Sequence, residues 1–225
     1  MSLIPTKTPL AVKKLFPNYT WNLSTAKKTI YLTFDDGPTP EITNWTLSVL
    51  KQYHAKATFF CIGDNAEKHP EVFKTILKDG HTIGNHTHNH LNGWKTKTKE
   101  YLRSIEKTHA VLQSYFSKHE TGVRLNDQEW HNPLLFRPPY GRIKPKQGRR
   151  LRALGYKIIM WDILSFDWDA SVSPETCAKR VINKTSNGSI IVFHDSKKAS
   201  KNMMYALPKV LDYFSKRGYS FESIK

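Results

Sequence analysis

The sequence predicts one α/β domain in which a parallel sheet, closed as a barrel, is surrounded by helices. Runs of β-branched and aromatic residues alternate with segments of helical periodicity along the 225-residue chain. No Gly-, Ser- or Pro-rich linker divides the chain, and hydrophobic residues make up 39% of it, enough for a sizeable core. We expect this fold class because repeated alternation of strands and helices is typical of parallel sheets with helices outside.

Seven strands are predicted, and turn signals or helices separate them. The run TIYLTF ends at the turn signal DDGP, and the helix that Pro70 opens ends at Gly80, which is the usual placement of these two residues. The predicted strands are 29–34, 57–62, 81–85, 134–137, 156–164, 189–194 and 219–224. The predicted helices are 41–53, the segment from Pro70 to Gly80, 96–116, a short basic helix between Pro138-Pro139 and the fifth strand, a segment that begins at Pro174, and 203–216.

The charge balance is strongly basic, with 35 Lys and Arg against 19 Asp and Glu, a formal net charge of +16. Such a balance favours anionic partners, among them acidic glycans, teichoic-type polymers, anionic lipid surfaces and nucleic acid. Basic residues concentrate at 142–152 (RIKPKQGRRLR), where a solvated basic face is the simpler interpretation. No helix-turn-helix, RNP-type aromatic pattern or Cys/His finger accompanies the charge, so the sequence disfavours nucleic-acid binding.

Cysteines and the N-terminus indicate little about the compartment. Cys61 and Cys177 lie far apart without metal-ligand spacing, so we expect free, structural thiols. The first residues lack the apolar stretch of a signal peptide, and no run approaches 18 apolar residues, so no transmembrane segment is expected. A cytoplasmic protein and an extracytoplasmic domain without its upstream segment both fit.

Polar side chains follow five of the predicted strands, at the point where each strand ends. In a barrel, the carboxyl ends of the strands form the face that carries catalytic residues. We therefore expect the following side chains to converge: Asp35 and Asp36, His86 to His90, Arg137 and Tyr140, Asp167 and Trp168, and His194 and Asp195.

The adjacent Asp35 and Asp36 admit two interpretations. Asp-Gly-Pro is ordinary turn chemistry. Directly after an apolar strand, however, two neighbouring carboxylates repel each other unless a cation or an arginine offsets them. Such a pair can divide the work of general base and metal ligand between its two members.

Three histidines within five residues, His86, His88 and His90, favour a metal site over ordinary packing. In an extended strand all three would share one face, whereas in a helical turn only His86 and His90 would, so spacing leaves the ligand pair open. Two imidazoles and one aspartate would leave a coordination position for water, as in catalytic zinc sites. Mixed nitrogen and oxygen ligands would also suit cobalt, nickel or manganese.

Five motifs, in order, carry a resemblance to a known family. They are TFDDGP (33–38), HTHNH (86–90), RPPYG (137–141), FDW (166–168) and VFH (192–194). With them the sequence resembles the polysaccharide deacetylases, the NodB-homology group also called carbohydrate esterase family 4, from about Lys28 to the C-terminus. The first two motifs together are highly specific.

The resemblance implies a distorted (β/α)₇ barrel in a single domain. It implies an N-terminal extension over residues 1–27 and a polysaccharide deacetylase catalytic domain over 28–225. The implied activity is a metal-dependent hydrolase that removes N-acetyl groups from glycans containing N-acetylglucosamine, of the peptidoglycan or chitin type, through metal-activated water. The implied metal is a divalent ion, with zinc as our choice.

The resemblance also assigns a role to ten residues. By motif, the implied metal ligands are Asp36, His86 and His90. The implied catalytic residues are Asp35 as general base, Arg137 as the partner that lowers the pKa of Asp35, His194 as general acid, and Asp167 as the residue that orients His194. The implied substrate-binding residues are Tyr140, whose backbone N–H holds the oxyanion, and Trp168 and Val192, which line the acetyl pocket.

Some features depart from the family pattern or lie outside it. The acidic residue usual three places before the aspartate of the fourth motif is replaced by Leu164, with Asp162 two places earlier, which leaves the network around the general acid open. The polar stretch 118–132 has the composition of a loop over a substrate groove or of plain surface. Exposed Trp94, Trp130 or Tyr140 would suit stacking on sugar rings, although buried roles fit equally.

Two alternative functions remain at this point. A related hydrolase could act on another amide or on the acetyl esters of xylan, and the motifs do not separate these substrates. A non-catalytic barrel that binds glycans or polyanions is disfavoured, because residues of the types needed for base, ligands, arginine and acid are all present.

Overall fold

Eight short strands and eight helices make up the computed structural model over its described residues, 5–117 and 134–225. The strands are β1 (Thr29–Asp35), β2 (Ala57–Cys61), β3 (Thr82–Asn85), β4 (Leu135–Phe136), β5 (Lys157–Ile158), β6 (Ile163–Leu164), β7 (Ile190–His194) and β8 (Ser220–Phe221). The helices are α1 (Leu10–Leu15), α2 (Ile42–Gln52), α3 (Gly63–Lys68), α4 (Pro70–Lys78), α5 (Thr98–Ser117), α6 (Pro145–Ala153), α7 (Pro174–Lys184) and α8 (Ser200–Ser215). A single 3₁₀ turn covers Pro139–Gly141.

The strands form one sheet in the order β5-β4-β3-β2-β1-β7-β6, with β8 beside β1, and every pairing between them is parallel. Strand β1 is central: Leu32 lies opposite Ala57 of β2 and Ile191 of β7. Phe34 stacks on Phe59 with ring centroids 5.0 Å apart. This sheet, curved into a partial barrel with helices outside, confirms the predicted fold class of a single-domain (β/α)₇-type barrel.

The sheet does not close on itself, because β5 and β6 are its two edges. The N-terminal segment, defined here as residues 5–23, bonds to both. The Thr20 N–H donates to the carbonyl of Ile158 at 2.9 Å beside β5, and the Leu164 N–H of β6 donates to the carbonyl of Thr6 at 2.8 Å. These bonds satisfy backbone groups that an open edge would leave exposed.

One predicted strand is wrong: residues 156–164 form two short strands rather than one. The backbone between them bends so that the carbonyls of Ile159 and Met160 accept hydrogen bonds from the buried guanidinium of Arg137, at 3.2 and 2.8 Å. Two further differences are the short helices α1 and α3, which the sequence did not predict. The stretch 118–132 and Trp130 lie outside the described residues.

Helix starts follow the expected local chemistry. Proline occupies the first turn of α4, α6 and α7, where its missing N–H costs no helical hydrogen bond. Ser173 caps α7 by accepting a hydrogen bond from the Thr176 N–H at 3.2 Å. Both cysteines are buried and unpaired, as expected. Within the described ranges, no helix combines the length and hydrophobicity that a membrane span requires.

Candidate active site

Asp36, His86 and His90 meet at the carboxyl ends of β1 and β3. The Nε2 atoms of His86 and His90 lie 3.7 and 3.2 Å from the Asp36 Oδ1 atom. One ligand-type atom from each of the three residues lies within 4.8 Å of the other two. The arrangement therefore offers three donors to one small cation.

His88 does not join this group. Its side chain is buried elsewhere: the Nε2 atom lies 2.6 Å from the Lys107 Nζ atom and 3.5 Å from the Glu67 carboxylate. The backbone explains the separation, because Thr87 and His90 adopt left-handed φ angles of 63° and 52°. The loop is therefore neither the extended strand nor the helical turn between which histidine spacing left a choice.

The donors at Asp36, His86 and His90 fit a divalent cation. The Asp36 Oδ1 atom is buried without a hydrogen-bond partner among the described residues. The Nδ1–H of His86 donates to the Arg137 carbonyl at 2.8 Å, which leaves the lone pair of Nε2 facing Asp36. Burial lowers the pKa of both histidines, and burial together with the His86 ring brings that of His90 to about 4. Neutral imidazoles beside an unpartnered carboxylate oxygen are suitable metal ligands.

Asp35, the last residue of β1, forms a buried ion pair with Arg137. The guanidinium donates to the Asp35 carboxylate at 2.7 Å and to the Thr33 hydroxyl oxygen at 2.6 Å. Burial by itself raises the pKa of Asp35, but the Arg137 charge, the charges of His86 and His194 and the Arg137 hydrogen bond together outweigh it, so the net pKa lies below the usual value. Asp35 is therefore held as a carboxylate in a fixed direction.

Beside Asp35, at the end of the neighbouring strand β7, His194 pairs with Asp167. The carboxylate of Asp167 accepts from the His194 Nδ1–H at 2.8 Å and from the His194 backbone N–H at 2.7 Å. Burial alone lowers the pKa of His194, yet the charge and hydrogen bond of Asp167, together with the charges of Asp36 and Asp35, raise it to about 9. The Trp168 ring packs edge-on against the imidazole, with centroids 4.8 Å apart. Asp167 thus orients His194 and favours its protonated form.

These groups surround one open pocket of about 430 Å³. Trp168, Val192 and Leu164 supply an apolar wall, and Tyr140 stands at the mouth with 61% of its surface exposed. The Tyr140 hydroxyl lies 3.1 Å from His90 Nδ1. Eight of the ten residues that the motifs selected line this pocket, and the other two, Arg137 and Asp167, are buried behind it in contact with Asp35 and His194. Together they combine candidate cation ligands with groups able to accept and to deliver protons.

Asp162 takes no part in this arrangement. Its carboxylate contacts the ammonium groups of Lys13 at 2.6 Å and Lys7 at 3.2 Å, and accepts from the Ser189 hydroxyl at 2.6 Å. Leu164, which replaces the usual acidic residue, forms part of the apolar wall. Among the described residues, the hydrogen-bonding partner of His194 is Asp167, which answers the question that the altered fourth motif left open.

Asp195 has no role in the motif pattern, although it follows His194 directly. The carboxylate of Asp195 is buried, and it accepts from the Gly37 N–H at 3.0 Å and from the Thr43 hydroxyl at 2.6 Å. A Cβ at Gly37 would lie 2.0 Å from this carboxylate, so the contact requires glycine. The sequence shows an acidic residue directly after His194 at a strand end, but it does not show the partners of Asp195, which are distant in sequence.

Fold and site together define a class: a parallel α/β barrel whose mouth joins a candidate metal triad to a carboxylate and a histidine, as in metal-assisted hydrolases. The polysaccharide deacetylase family profile matches residues 22–159, more than half of the chain. The chain therefore belongs to the polysaccharide deacetylase family and is an enzyme, a hydrolase. The resemblance drawn from the motifs is confirmed.

Relatives and solved structures agree. The chain is 34% identical over 207 residues to a peptidoglycan-N-acetylglucosamine deacetylase of Bacillus cereus, a match that covers 91% of this chain and 90% of the relative. It is 31% identical over 198 residues to the peptidoglycan-N-acetylmuramic acid deacetylase PdaC of Bacillus subtilis, covering 88% of this chain and 38% of the relative.

A crystal structure of a peptidoglycan N-acetylglucosamine deacetylase, in complex with 4-naphthalen-1-yl-N-oxidanyl-benzamide, superposes with a TM-score of 0.83 at 32% identity, covering 96% of this chain and 95% of that one. The structure of PdaC from Bacillus subtilis superposes with a TM-score of 0.73 at 30% identity, covering 90% of each chain. Both relatives therefore share the fold over almost its whole length.

Proposed function

We propose that this enzyme removes N-acetyl groups from glycans that contain N-acetylglucosamine, with peptidoglycan as the substrate class. The observation that carries the proposal is that one triad and two pairs of side chains converge at one pocket. The triad is Asp36, His86 and His90, and the pairs are Asp35 with Arg137 and His194 with Asp167. The substrate class is supported by the relatives, whose names specify peptidoglycan N-acetylglucosamine and N-acetylmuramic acid.

Asp36, His86 and His90 would hold the divalent cation. When bound, the cation supplies Lewis acidity, which polarises the acetyl carbonyl and makes water a better nucleophile. Zn²⁺ is our choice because two imidazoles and a carboxylate with a free position are the usual donors of catalytic zinc sites. Co²⁺, Ni²⁺ and Mn²⁺ accept the same donor types.

Asp35 would be the general base. Its carboxylate is held by Arg137 and adjoins the cation ligands, so it accepts the proton of the attacking water. A low pKa keeps Asp35 ionised, although it also makes the carboxylate a weaker base, and proximity compensates for this. The Arg137 guanidinium fixes the direction of the carboxylate throughout.

His194 would be the general acid. An amine leaves an amide only if its nitrogen is protonated, and the raised pKa of His194 favours the protonated imidazole that would deliver this proton. Asp167 orients the ring and stabilises its charged form. Hydrolysis then yields acetate and a free amine. Trp168 and Val192 would enclose the acetyl methyl group, and the backbone N–H of Tyr140 would stabilise the oxyanion.

The basic surface supports an additional partner, an anionic polymer of the cell envelope. Helix α6 contains no acidic residue, and it exposes Lys146, Arg149, Arg150 and Arg152. None of the four forms an ion pair with another described residue. A basic cluster of this kind, without an acidic partner among the described residues, attracts polyanions at long range.

Two variants test the roles of the adjacent aspartates. Asp36→Ala should lose both the metal and acetate release, since one of three donors is removed. Asp35→Asn should retain the metal and lose acetate release by about 10²–10⁴-fold, the usual contribution of a general base. Metal content after reconstitution with Zn²⁺ is measured by mass spectrometry, and acetate release is measured on peptidoglycan fragments and chitooligosaccharides.

Asp212→Asn is the matched control, because it alters a half-exposed surface aspartate that pairs with Lys216 and should change neither measurement. Full metal content in Asp36→Ala, or near-normal turnover in Asp35→Asn, would contradict the assignments. No acetate from any acetylated glycan with the reconstituted protein would contradict the proposed function itself.

A further inference from the structure

Two loops are joined beside the mouth of the catalytic pocket, one after β3 and one after β4. The Gly93 N–H donates to the carbonyl of Arg142 at 3.1 Å, and the side-chain amide of Gln147 donates to the carbonyl of Gly93 at 3.0 Å. A Cβ at Gly93 would lie 2.3 Å from the Arg142 carbonyl oxygen, so this approach of the two loops requires glycine. The contact holds Trp94 next to Arg142.

Trp94 is an exposed but fixed aromatic surface. Its side chain is 60% exposed, although its indole N–H donates to the carbonyl of Ile143 at 3.3 Å. The guanidinium carbon of Arg142 lies 5.4 Å from the ring centroid. A large aromatic ring held in place at the surface loses little entropy on binding, and its apolar face suits the C–H groups of a sugar ring.

The pair stands between two cavities. Arg142 lines the catalytic pocket, whereas Trp94 lines a neighbouring groove of about 280 Å³. Tyr140, Gly141 and Trp161 belong to the walls of both, so only this rim separates them. A polymeric substrate with one unit in the catalytic pocket would place the adjacent unit at this rim.

Aromatic residues also form the far wall of the groove, through the N-terminal segment. Phe16 and Tyr19 stack with ring centroids 5.9 Å apart and ring planes 3° apart. Arg142 is exposed, lines the catalytic pocket at this rim, and forms no ion pair with any described residue. A carboxylate matches a free guanidinium in both charge and geometry, because the two groups can form paired hydrogen bonds.

We propose that Trp94 and Arg142 form a substrate subsite for a sugar unit that carries a carboxylate and adjoins the unit deacetylated in the pocket. This proposal rests on the proposed function and specifies its substrate further. The pyranose ring packs on Trp94, and the carboxylate accepts hydrogen bonds from Arg142. The lactyl group of a muramic acid unit that bears no peptide has this chemistry, because its carboxylate is free; a chitin-type chain has no such group.

Binding to the Asp35→Asn protein tests the subsite without turnover. Two ligands of equal length are compared by calorimetry: chitotetraose with all N-acetyl groups, and a peptide-free tetrasaccharide in which N-acetylglucosamine alternates with N-acetylmuramic acid. We expect the acidic tetrasaccharide to bind about tenfold more tightly, as one charge-assisted hydrogen bond allows. Adding Arg142→Gln should remove this preference, and adding Trp94→Ala should weaken both ligands about tenfold.

Arg149→Gln on α6 is the matched control, since it removes the same charge from an exposed position outside both cavities and should retain the preference. Equal affinities for the two ligands, or an unchanged preference in Arg142→Gln, would overturn the subsite. Equal loss of preference in Arg149→Gln would also overturn it, because general charge attraction would then suffice. These readouts do not depend on acetate release, so they separate failure of the subsite from failure of the proposed function.

Discussion

At the scale of the residue, Asp195 is the clearest example of a side chain that acts through others. Its carboxylate connects the turn after β7 to the turn after β1, the turn that carries Asp36. Without it, the Gly37 N–H and the Thr43 hydroxyl would be buried with no acceptor, at a cost of about 1–3 kcal/mol each. We therefore infer that Asp195 positions Asp36 and does not itself contact substrate.

A measurement of metal affinity tests this role. Asp195→Ala should lower the affinity of the protein for Zn²⁺ by about 10–100-fold, the usual effect of losing a group that supports a metal ligand. Asp195→Asn keeps an acceptor for Gly37 and should lose less. Competition with a chromophoric chelator measures the affinity, and Asp169→Ala, which alters a surface turn with Ser171, is the control. Unchanged affinity in folded Asp195→Ala would show that Asp195 does not position the ligand.

The candidate ligands illustrate what single residues allow one to predict. Spacing alone could not select among three histidines, because it presumes a regular backbone, and left-handed residues at Thr87 and His90 break that regularity. Matching a family motif selected His86 and His90, the pair that the structure brings to Asp36. The partners of Asp195 were beyond prediction because they depend on contacts across more than 150 residues of sequence.

At the scale of the element, long elements were predictable and short ones were not. Strands β1, β2 and β7 are buried along almost their whole length and read as continuous apolar runs. Helices α1 and α3 have six residues each, too few for a periodic pattern. The break between β5 and β6 follows from the position of the Arg137 guanidinium, which no local pattern encodes.

The basic face of helix α6 can be tested for polyanion binding by charge reversal. Lys146, Arg149 and Arg150 follow the i, i+3, i+4 spacing of one helix face. Reversing all three to Glu should make the protein elute from immobilised heparin, used as a polyanion probe, at clearly lower salt. The salt dependence of binding should fall by about one unit of slope for each cationic side chain that no longer binds the polymer.

The comparison requires a variant with the same change in net charge. Lys27→Glu, Lys51→Glu and Lys179→Glu alter three exposed, dispersed lysines. This control should elute much closer to the unmodified protein than the α6 variant does. Equal shifts for the two variants would mean that net charge, rather than the α6 face, determines polyanion binding.

At the scale of the whole molecule, the N-terminal segment is part of the barrel wall. Besides its backbone bonds beside β5 and β6, it supplies Lys7 and Lys13 to the buried carboxylate of Asp162. Burial raises the pKa of Asp162. Its hydrogen bonds to Lys13 and Ser189 and the charges of both lysines lower the pKa by more than burial raises it, so the net pKa lies below the usual value. The expected domain boundary at residue 28 stays a prediction.

This pKa shift gives a signed dependence of stability on pH. A carboxyl with a depressed folded pKa contributes fully above its unfolded pKa of about 4, and the contribution is lost as pH falls through the lower folded value. Asp162→Asn should therefore cost about 1–3 kcal/mol of unfolding free energy at pH 7, and this difference should shrink below about pH 4. Urea unfolding at pH 7, 5, 4 and 3 measures it.

The exposed Asp212 provides the reference for that series. Its ion pair with Lys216 is solvent-screened, so Asp212→Asn should change the unfolding free energy by no more than about 1 kcal/mol at any pH. A constant difference between Asp162→Asn and the unmodified protein across the whole pH range would contradict the linkage. The effect would then come from packing rather than from charge.

The N-terminal segment has one more consequence, since the same stretch that seals the sheet edges also forms a wall of the groove beside Trp94. A glycan lodged in that groove would immobilise backbone that otherwise opens locally, and so would slow amide hydrogen exchange at Thr20, Met160 and Leu164. Hydrogen exchange followed by mass spectrometry at the two edges of the sheet would thus report whether a glycan occupies the groove.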